Sequence, residues 1–263
     1  MTAGGDAQGR EAGPALPVWA REHPRRRPRQ PDDDGVTGES RRRSPLSRGA
    51  IVAAAVAIAD AEGLEAVSIR RVAGDLGARP MSLYTYIERK EDLLALMRDQ
   101  VNGEVLLGAE LPAGWRNALA AIARRTREVA LRHPWMVETA AHGAALGPNA
   151  LRHLEESLAA VAELGLGLPA AAEVLFAVDK YVLGHVALEV ADVTQAAERA
   201  AARPYLESLL ATGEFPRLSR LAADGHITND AQLQPAIGRQ FEQGLTWLLD
   251  GIAADVQSAA GTS

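Results

Sequence analysis

Apolar residues recur at steps of three and four along most of this chain, and this spacing constrains the possible folds more than any other feature. It places one apolar stripe on each segment, which is the pattern of helices that pack on a shared core. Glycine and proline interrupt the pattern, and the sequence contains no pair of alternating segments joined by a hairpin signal. Since aromatic residues make up only 4% of the chain, alanine, leucine and valine must fill the interior. The sequence therefore predicts an all-α protein.

The interruptions divide the chain into predicted helices. A first helix is expected to begin at Ser47 and stop at Gly63, a second to begin after Ser68, and a third to begin at Pro80. Further helices are expected over residues 90–107, 115–132, 134–145, 148–164, 169–195 and 230–256. We expect a looser stretch over residues 203–229, which contains two prolines and two glycines.

The composition limits the class of protein and its compartment. The chain has 263 residues, no cysteine and a formal net charge of −6. The lack of cysteine excludes disulfides and thiolate chemistry and is typical of a reducing compartment. The sequence has no run of 18 apolar residues and no secretory signal layout, so we expect a cytoplasmic protein with no membrane partner. The negative charge predicts that any contact with nucleic acid is confined to a local surface.

Residues 1–44 differ in composition from the rest of the chain. They are rich in glycine, proline, arginine and aspartate and contain few apolar residues, so the sequence predicts a disordered arm. Two arginine clusters, at residues 25–29 and 41–43, flank the acidic run at 32–34. The arm is either a solvated linker or a segment that contacts phosphates or a minor groove, and the acidic run weakens the second alternative.

Residues 46–92 carry the strongest local signal, which is a helix, a turn with glycine and then a short helix. Gly77 suits a tight turn, and Pro80 is favoured at the first position of a helix. Leu83 and Ile87 share one face of the short helix and can pack on the two preceding helices. The opposite face then presents Met81, Ser82, Thr85 and one edge of Tyr84. This arrangement predicts a helix-turn-helix that enters the major groove of DNA.

Five motifs in this segment occur in the order found in one family. They are L-S-R at residues 46–48, A-x-x-x-A-x-x-x-G-L at 55–64, S-I-R-R-V-A-x-x-L-G at 68–77, L-Y-x-Y at 83–86 and K-x-x-L-L at 90–94. Residues 46–97 thus resemble the DNA-binding domain of the TetR family of transcriptional regulators. The later segment resembles the C-terminal domain of the tetracycline-repressor branch, through R-H-P-W at 132–135, G-P-N-A-L-R at 147–152, D-x-Y-V-L-G-H at 179–185 and F-E-x-G-L-x-x-L-L-D-G at 241–251.

The resemblance implies a homodimer with two domains in each subunit. Residues 45–92 would form the three-helix helix-turn-helix domain, residues 93–256 a larger helical domain for ligand binding and dimerisation, and residues 257–263 a flexible tail. The protein would be a repressor that leaves a palindromic double-stranded operator when a small-molecule effector binds, with the helix at 90–107 as the coupling element. The alternative is an all-α ligand-binding or adaptor protein that does not read DNA.

The resemblance also assigns roles to residues of the helix-turn-helix. Pro80, Met81 and Ser82 would read base edges, whereas Tyr84 and Lys90 would hold phosphates. The full set of expected DNA-contacting residues is Ser68, Arg70, Arg79, Pro80, Met81, Ser82, Tyr84, Thr85, Tyr86 and Lys90. Residues 45–92 contain six arginines and lysines against seven acidic residues, so binding depends on how the basic side chains are grouped.

In the larger domain the resemblance implies an effector pocket and a dimer interface. The aromatic and ionisable candidates for the pocket are Trp115, Trp135, His142, Phe176, Lys180, Tyr181 and His185. The candidates for the interface, on the last long helix, are Phe241, Leu245, Leu248 and Ile252. Packing inside the same chain is the alternative for every residue in both sets.

The sequence argues against metal-dependent effector binding and against enzymatic activity. His142 lies near the position of one metal ligand of the tetracycline branch, but Lys180 replaces the later pocket histidine. No two histidines have the i, i+4 spacing that places two ligands on one helix face. The sequence has no P-loop, complete dinucleotide fingerprint, G-x-S-x-G or H-E-x-x-H motif. We therefore expect no metal, no cofactor and no enzyme.

Overall fold

The computed structural model describes residues 18–20, 46–140, 147–194, 196–223 and 230–260. Within these ranges the regular structure consists of α-helices and short 3-10 turns, and no strand is present. The prediction of an all-α protein is therefore confirmed.

Four helices follow one another in the first part of the chain: α1 (Arg48–Glu62), α2 (Ile69–Asp75), α3 (Pro80–Leu83) and α4 (Lys90–Val105). Helix α1 begins as predicted, because Ser47 Oγ accepts a hydrogen bond from the backbone N–H of Ala50 at 3.2 Å. It ends as predicted at Gly63, whose N–H still donates to the carbonyl of Ala59 at 2.9 Å.

The remaining helices of the described chain are α5 (Trp115–Arg132), α6 (Trp135–Ala140), α7 (Pro148–Val161), α8 (Leu168–Thr194), α9 (Ala196–Ala211), α10 (Pro216–Ala223) and α11 (Asp230–Ala260). The predicted breakers separate them. The chain turns at His133 between α5 and α6, and Gly165 adopts a φ of 67° between α7 and α8.

Internal contacts divide the chain into two compact units, and the division falls within α4, after Asp99. The described part of the first unit comprises residues 18–20, 46–99 and 147–148. In this unit α1 packs against α2, and α2 packs against α3. The core side chains with at most 4% exposure include Ile51, Val52, Val67, Val72, Leu83, Ile87, Leu93 and Met97.

The second unit contains the described residues from Gln100 onward, apart from 147–148. Helix α8 is central to it, because α8 packs against both α5 and α11. As the composition predicts, aliphatic side chains fill most of this core, which includes Leu119, Val161, Leu175, Val178, Val182, Val186, Phe241, Leu245 and Leu249.

The stretch predicted to be looser, residues 203–229, is helical over most of its described length. Pro204 lies inside α9, and α10 covers residues 216–223. The prediction was wrong because α9 accommodates Pro204 in its interior, while the breakers at 213 and 216 occupy only the short connection between α9 and α10. Pro216 begins α10, and Gly213 turns the chain between α9 and α10 with a φ of 82°.

Residues 18–20 correct the expectation of an arm without structure. Val18–Ala20 form one 3-10 turn, and Val18 is buried. The carbonyl of Val18 accepts a hydrogen bond from the guanidinium of Arg48 at 3.4 Å. Burial of one apolar side chain thus orders this turn against the ordering entropy. Helix α11 continues to Ala260, so residues 257–260 of the expected flexible tail at 257–263 are helical. The rest of residues 1–44, residues 261–263 and His142 lie outside the described residues.

No single described helix is long and apolar enough to cross a membrane. The segments 148–164 and 168–191 pass that test only as a pair, and the pair is bent by 114° at its break. Among the described residues, no group of three histidine, aspartate or glutamate side chains could hold a metal ion.

Candidate DNA-binding surface and effector-binding region

The connection between α2 and α3 is a tight glycine turn. The N–H of Gly77 donates to the carbonyl of Gly74 at 3.1 Å, and the N–H of Ala78 donates to the carbonyl of Ala73 at 2.8 Å. Gly77 has a φ of 60°, the left-handed conformation that this pair of hydrogen bonds requires and that glycine adopts without steric cost. The turn therefore fixes where the next helix can begin.

Helix α2 begins at a side-chain cap, and α3 begins at a proline. Ser68 Oγ accepts a hydrogen bond from the backbone N–H of Arg71 at 3.1 Å. Pro80 occupies the first position of α3, where its missing N–H costs no hydrogen bond. As the sequence predicts, Ser68 caps the beginning of α2 and Pro80 begins α3.

Helix α3 is a single turn held by its apolar face. Its regular part ends at Leu83, and the N–H of Ile87 donates to the carbonyl of Leu83 at 3.0 Å. Both side chains are 0% exposed, which confirms the predicted inner face. Because interiors are close-packed, these two anchors set the orientation of α3 on α1 and α2.

The opposite face of α3 points outward. Met81 is 76% exposed and Tyr84 is 47% exposed, while Ser82 and Thr85 are exposed between them. Tyr86 is only half-buried, so part of its ring also reaches the surface. The core thus does not use these side chains, and they are available for contact with another molecule.

The basic side chains near this face differ in their pairing. Arg70, Arg79 and Lys90 are exposed, and none of them forms an ion pair with the described part of the chain. Arg71, in contrast, lies 2.6 Å from Glu62 and 3.6 Å from Asp75. The three unpaired cations can therefore neutralise phosphates, whereas the charge of the fourth is already balanced.

The structure does not gather the expected pocket residues in one place. Phe176 is 50% exposed and Lys180 is exposed, so both lie on the outer surface of α8. Trp135 is buried, and its ring packs edge-on against a neighbouring histidine ring. Trp115 is half-buried at the beginning of α5.

Tyr181 and His185 do lie together, between α8 and α11. The Tyr181 hydroxyl donates to the carbonyl of Phe241 at 2.7 Å, and His185 Nε2 lies 3.2 Å from the carbonyl of Ile237. The Phe241 ring packs against both rings, with centroid distances of 5.7 and 5.2 Å. Burial raises the pKa of Tyr181, so its hydroxyl keeps its proton at neutral pH. These hydrogen bonds brace α8 against α11.

A partly buried ion pair adjoins this aromatic cluster. Arg127 on α5 donates to both carboxylate oxygens of Glu189 on α8, at 3.0 and 2.6 Å. Its guanidinium carbon also lies 4.9 Å from the centroid of the Phe241 ring, within the range of a cation–π interaction. Since the pair is bidentate, it holds α5 and α8 in one register.

Two of the four residues expected at a dimer interface belong to the core instead. Phe241 is 0% exposed and Leu245 is 1% exposed within the single chain, so neither can contact a second subunit. Leu248 and Ile252 are half-buried and pack at the edge of the same core. The prediction for the first two was wrong because the apolar stripe of α11 packs on α8 of its own chain.

Large apolar side chains of α8 and α11 also remain exposed. Trp247 is 67% exposed and Leu188 is 73% exposed. Trp247 lines an apolar groove with Val174, Leu248 and Ile252. Sequence reasoning missed Trp247, although a tryptophan outside the apolar stripe of α11 was an available signal.

Helix α4 and the segment after it pack closely on α7. A side chain at Gly147 would collide with the carboxylate of Asp99. A side chain at Gly103 would come within 3.1 Å of the Asn149 amide nitrogen. Two backbone N–H groups that follow α4 donate to the carboxylate of Glu156 on α7 at 2.9 and 2.8 Å. Glycine at positions 103 and 147 thus permits this close approach of the two segments.

Comparison with known proteins places the chain in a family. Residues 108–256 match the model of the tetracyclin repressor-like C-terminal domain. The chain is 36% identical over 244 residues to the helix-turn-helix-type transcriptional repressor DrrR1 of Streptomyces coeruleorubidus, and the match covers 86% of each chain. It is 35% identical over 219 residues to a helix-turn-helix-type transcriptional regulator of Saccharopolyspora erythraea, which covers 82% of this chain and 88% of the relative.

A solved structure leads to the same family. Apo ActR of Streptomyces coelicolor matches with a TM-score of 0.68 and 29% identity, over 82% of this chain and 99% of ActR. ActR in complex with actinorhodin matches with a TM-score of 0.66 and 29% identity, over 81% of this chain and 99% of that chain. With its family-model match and its two-domain helical fold, the chain belongs to the TetR family of transcriptional regulators.

Proposed function

We propose that this protein is a transcriptional repressor that binds operator DNA as a homodimer and is released by a small-molecule effector. The observation that carries the proposal is the outward face of α3, which two fully buried anchors, Leu83 and Ile87, hold in place. The description of DrrR1 as a repressor and the complex of ActR with actinorhodin support repression and effector binding by analogy.

The proposed DNA contacts divide into base reading and phosphate binding. Met81 and Ser82, at the beginning of α3, would meet base edges in the major groove. Tyr84 would donate its hydroxyl to a phosphate, and Lys90 would act on a phosphate as a point charge. The remaining members of the contact surface are Ser68, Arg70, Arg79, Pro80, Thr85 and Tyr86. We assign this surface to a domain at 45–92 and the effector and dimer functions to residues 93–256.

The proposed dimer uses exposed parts of α8 and α11. Each subunit would contribute Phe176, Leu188 and Trp247, which are among the large apolar side chains that the single chain leaves exposed on these two helices. Burying them in an isologous four-helix contact removes apolar surface from water. A two-fold dimer would present two reading helices to half-sites one helical turn apart, about 34 Å, which implies a near-palindromic operator.

Release requires the effector to bind better to a conformation that fits the operator poorly. We propose that α4 transmits this difference. Gly147, just before α7, lies against Asp99 on α4, and Asn149 on α7 lies against Gly103 on α4, so the two segments approach closely at these points. A shift of α7 on effector binding would therefore displace α4 as well.

A mobility-shift assay on the DNA upstream of the gene tests the proposal. The parent protein should retard this fragment at low salt, and Tyr84→Ala should weaken binding. Lys90→Ala should weaken binding and also lower the slope of log affinity against log salt by about one unit, because one phosphate contact is lost.

Arg217→Ala is the matched control, because it also removes one exposed positive charge but lies on α10, outside the proposed DNA and dimer surfaces. It should leave both affinity and salt slope unchanged. A parent protein that does not bind the fragment, or Tyr84 and Lys90 variants that bind like the parent, would contradict the proposed DNA surface.

A further inference from the structure

The arginines of the helix-turn-helix differ in whether the chain already holds their guanidinium groups. Residues 45–92 contain five arginines. Three of them have partners among the described residues, which are the Val18 carbonyl for Arg48, Glu62 for Arg71 and Asp92 for Arg89. The other two, Arg70 and Arg79, are exposed, and neither has a hydrogen bond or ion pair with the described part of the chain. These two can therefore bind a new acceptor without giving up an existing one.

Arg79 lies directly before α3, at a point where the backbone has little freedom. The ring of Pro80 restricts the residue before it to extended conformations, and Arg79 has a φ of −84° and a ψ of 138°. The carbonyl of Arg79 also accepts a hydrogen bond from the N–H of Ser82 at 2.9 Å. The side chain of Arg79 therefore begins from a fixed backbone position beside Met81 and Ser82, the two residues proposed above to meet base edges.

Arg70 is placed differently, because it lies on α2. There it lines a shallow depression with Ser68, Arg71 and Gly74. In a helix-turn-helix the first of the two helices crosses the DNA backbone, whereas the first residues of the second helix contact base edges. Helix α2 is the first of these helices and α3 is the second. We therefore expect Arg70 to meet phosphates and Arg79 to meet bases.

We propose that Arg79 reads one guanine in each half-site of the operator and so determines the preferred base at that position. Guanine presents two acceptors, O6 and N7, at its major-groove edge, and the planar fork of a guanidinium can donate to both. Adenine presents one acceptor and one donor there, thymine presents one acceptor and a methyl group, and cytosine presents a donor. Guanine is thus the base that can accept two hydrogen bonds from Arg79.

This inference rests on the proposed function, because it names a base that the proposed DNA surface recognises. Selection of bound duplexes from a library of random double-stranded DNA tests it with the full chain. The parent protein should prefer guanine about tenfold at one position of each half-site, because a bidentate pair discriminates against other bases by this order. Arg79→Ala should lose the preference at that position and keep the preferences at the other positions.

Substitution of 7-deazaguanine for guanine tests the same contact at a single atom. This base has a C–H in place of N7 and still pairs with cytosine, so it removes one of the two acceptors from the groove. With 7-deazaguanine at the selected position, the parent should bind severalfold more weakly in a mobility-shift assay. Arg79→Ala should bind the modified and unmodified duplexes equally, because it has no side chain left to lose the contact.

Arg71→Ala is the matched control, because Arg71 lies in the same helix-turn-helix but pairs with Glu62 and Asp75. It should keep the guanine preference. Arg70→Ala should weaken binding to all duplexes by a similar factor and also keep the guanine preference, because a phosphate contact carries no sequence information.

Three results would overturn the inference: a parent whose selected half-site contains no G·C pair, an Arg79→Ala protein that keeps the guanine preference, or a parent that binds the 7-deazaguanine duplex as tightly as the unmodified one. A preference lost in Arg70→Ala and kept in Arg79→Ala would also contradict it. A parent that binds its upstream DNA but gives any of these results contradicts only the role of Arg79, whereas a parent that binds no duplex contradicts the proposed function.

Discussion

Residues of the helix-turn-helix serve either stability or recognition, and the burial of each side chain indicates which. Leu83 and Ile87 are fully buried and hold α3, whereas Met81 is 76% exposed. Buried side chains contribute to stability, and exposed ones contribute to recognition. Stability and DNA affinity should therefore respond to different substitutions within one short helix.

Leu83→Ala and Met81→Ala test this separation. The Leu83 variant should lose about 2–5 kcal/mol of unfolding free energy, because it leaves a cavity in a closed core. The Met81 variant should stay within about 0.5 kcal/mol of the parent but bind the operator more weakly. Urea unfolding and mobility shift measure the two effects, and a Met81 variant with the affinity of the parent would argue against a role in reading bases.

At the scale of elements, one side chain of α8 joins this helix to α11 by packing against the backbone of α11. The hydroxyl of Tyr181 on α8 reaches the carbonyl of Phe241, and its ring passes directly over Gly244 on α11. A side chain at Gly244 would meet ring carbons of Tyr181 at 3.0 Å. Glycine at this position therefore allows the two helices to meet.

Gly244→Ala should destabilise the protein by about 1–3 kcal/mol, because the added methyl group displaces Tyr181 from its hydrogen bond. Gly238→Ala, on the same helix, meets no atom within 4 Å and should stabilise the helix by up to about 1 kcal/mol. Thermal unfolding compares the two. Equal shifts for both variants would show that helix propensity, and not this contact, controls position 244.

At the scale of the whole molecule, the described chain leaves several large apolar side chains of α8 and α11 exposed. Trp247, Phe176 and Leu188 are each at least half exposed on α8 and α11. Apolar surface of this kind, on the two longest helices of the described chain, is what an obligate helical dimer buries. The proposed homodimer accounts for it.

Trp247→Arg should convert the dimer to a monomer in light scattering, because it places a charge in the middle of the contact. Operator affinity should fall as well, since each monomer would then bind a half-site through a single helix-turn-helix domain. Tyr205→Arg is the control, because Tyr205 is 68% exposed on α9, outside the proposed interface, and should remain dimeric. A Trp247 variant that stays dimeric would exclude this face as the interface.

The sequence alone determined the helical fold, most helix ends and the two faces of α3. The signals at Ser47, Ser68, Gly77 and Pro80 act on backbone atoms a few residues away, so they have the same effect whatever the rest of the chain does. The same spacing rules failed over residues 203–229, because α9 accommodates Pro204 in its interior and the breakers at 213 and 216 occupy only a short connection between two helices.

Only the tertiary structure decided which apolar side chains pack inside the same chain and which stay exposed at its surface. Periodicity shows that α11 has a stripe through Phe241 and Leu245, but the position of α8 decides that this stripe is buried and that Trp247 stays exposed. In the same way, Arg127 and Glu189 are far apart in the sequence, and the packing of α5 on α8 brings them together as an ion pair. Burial and ion pairing depend on neighbours distant along the chain, and local spacing carries no information about them.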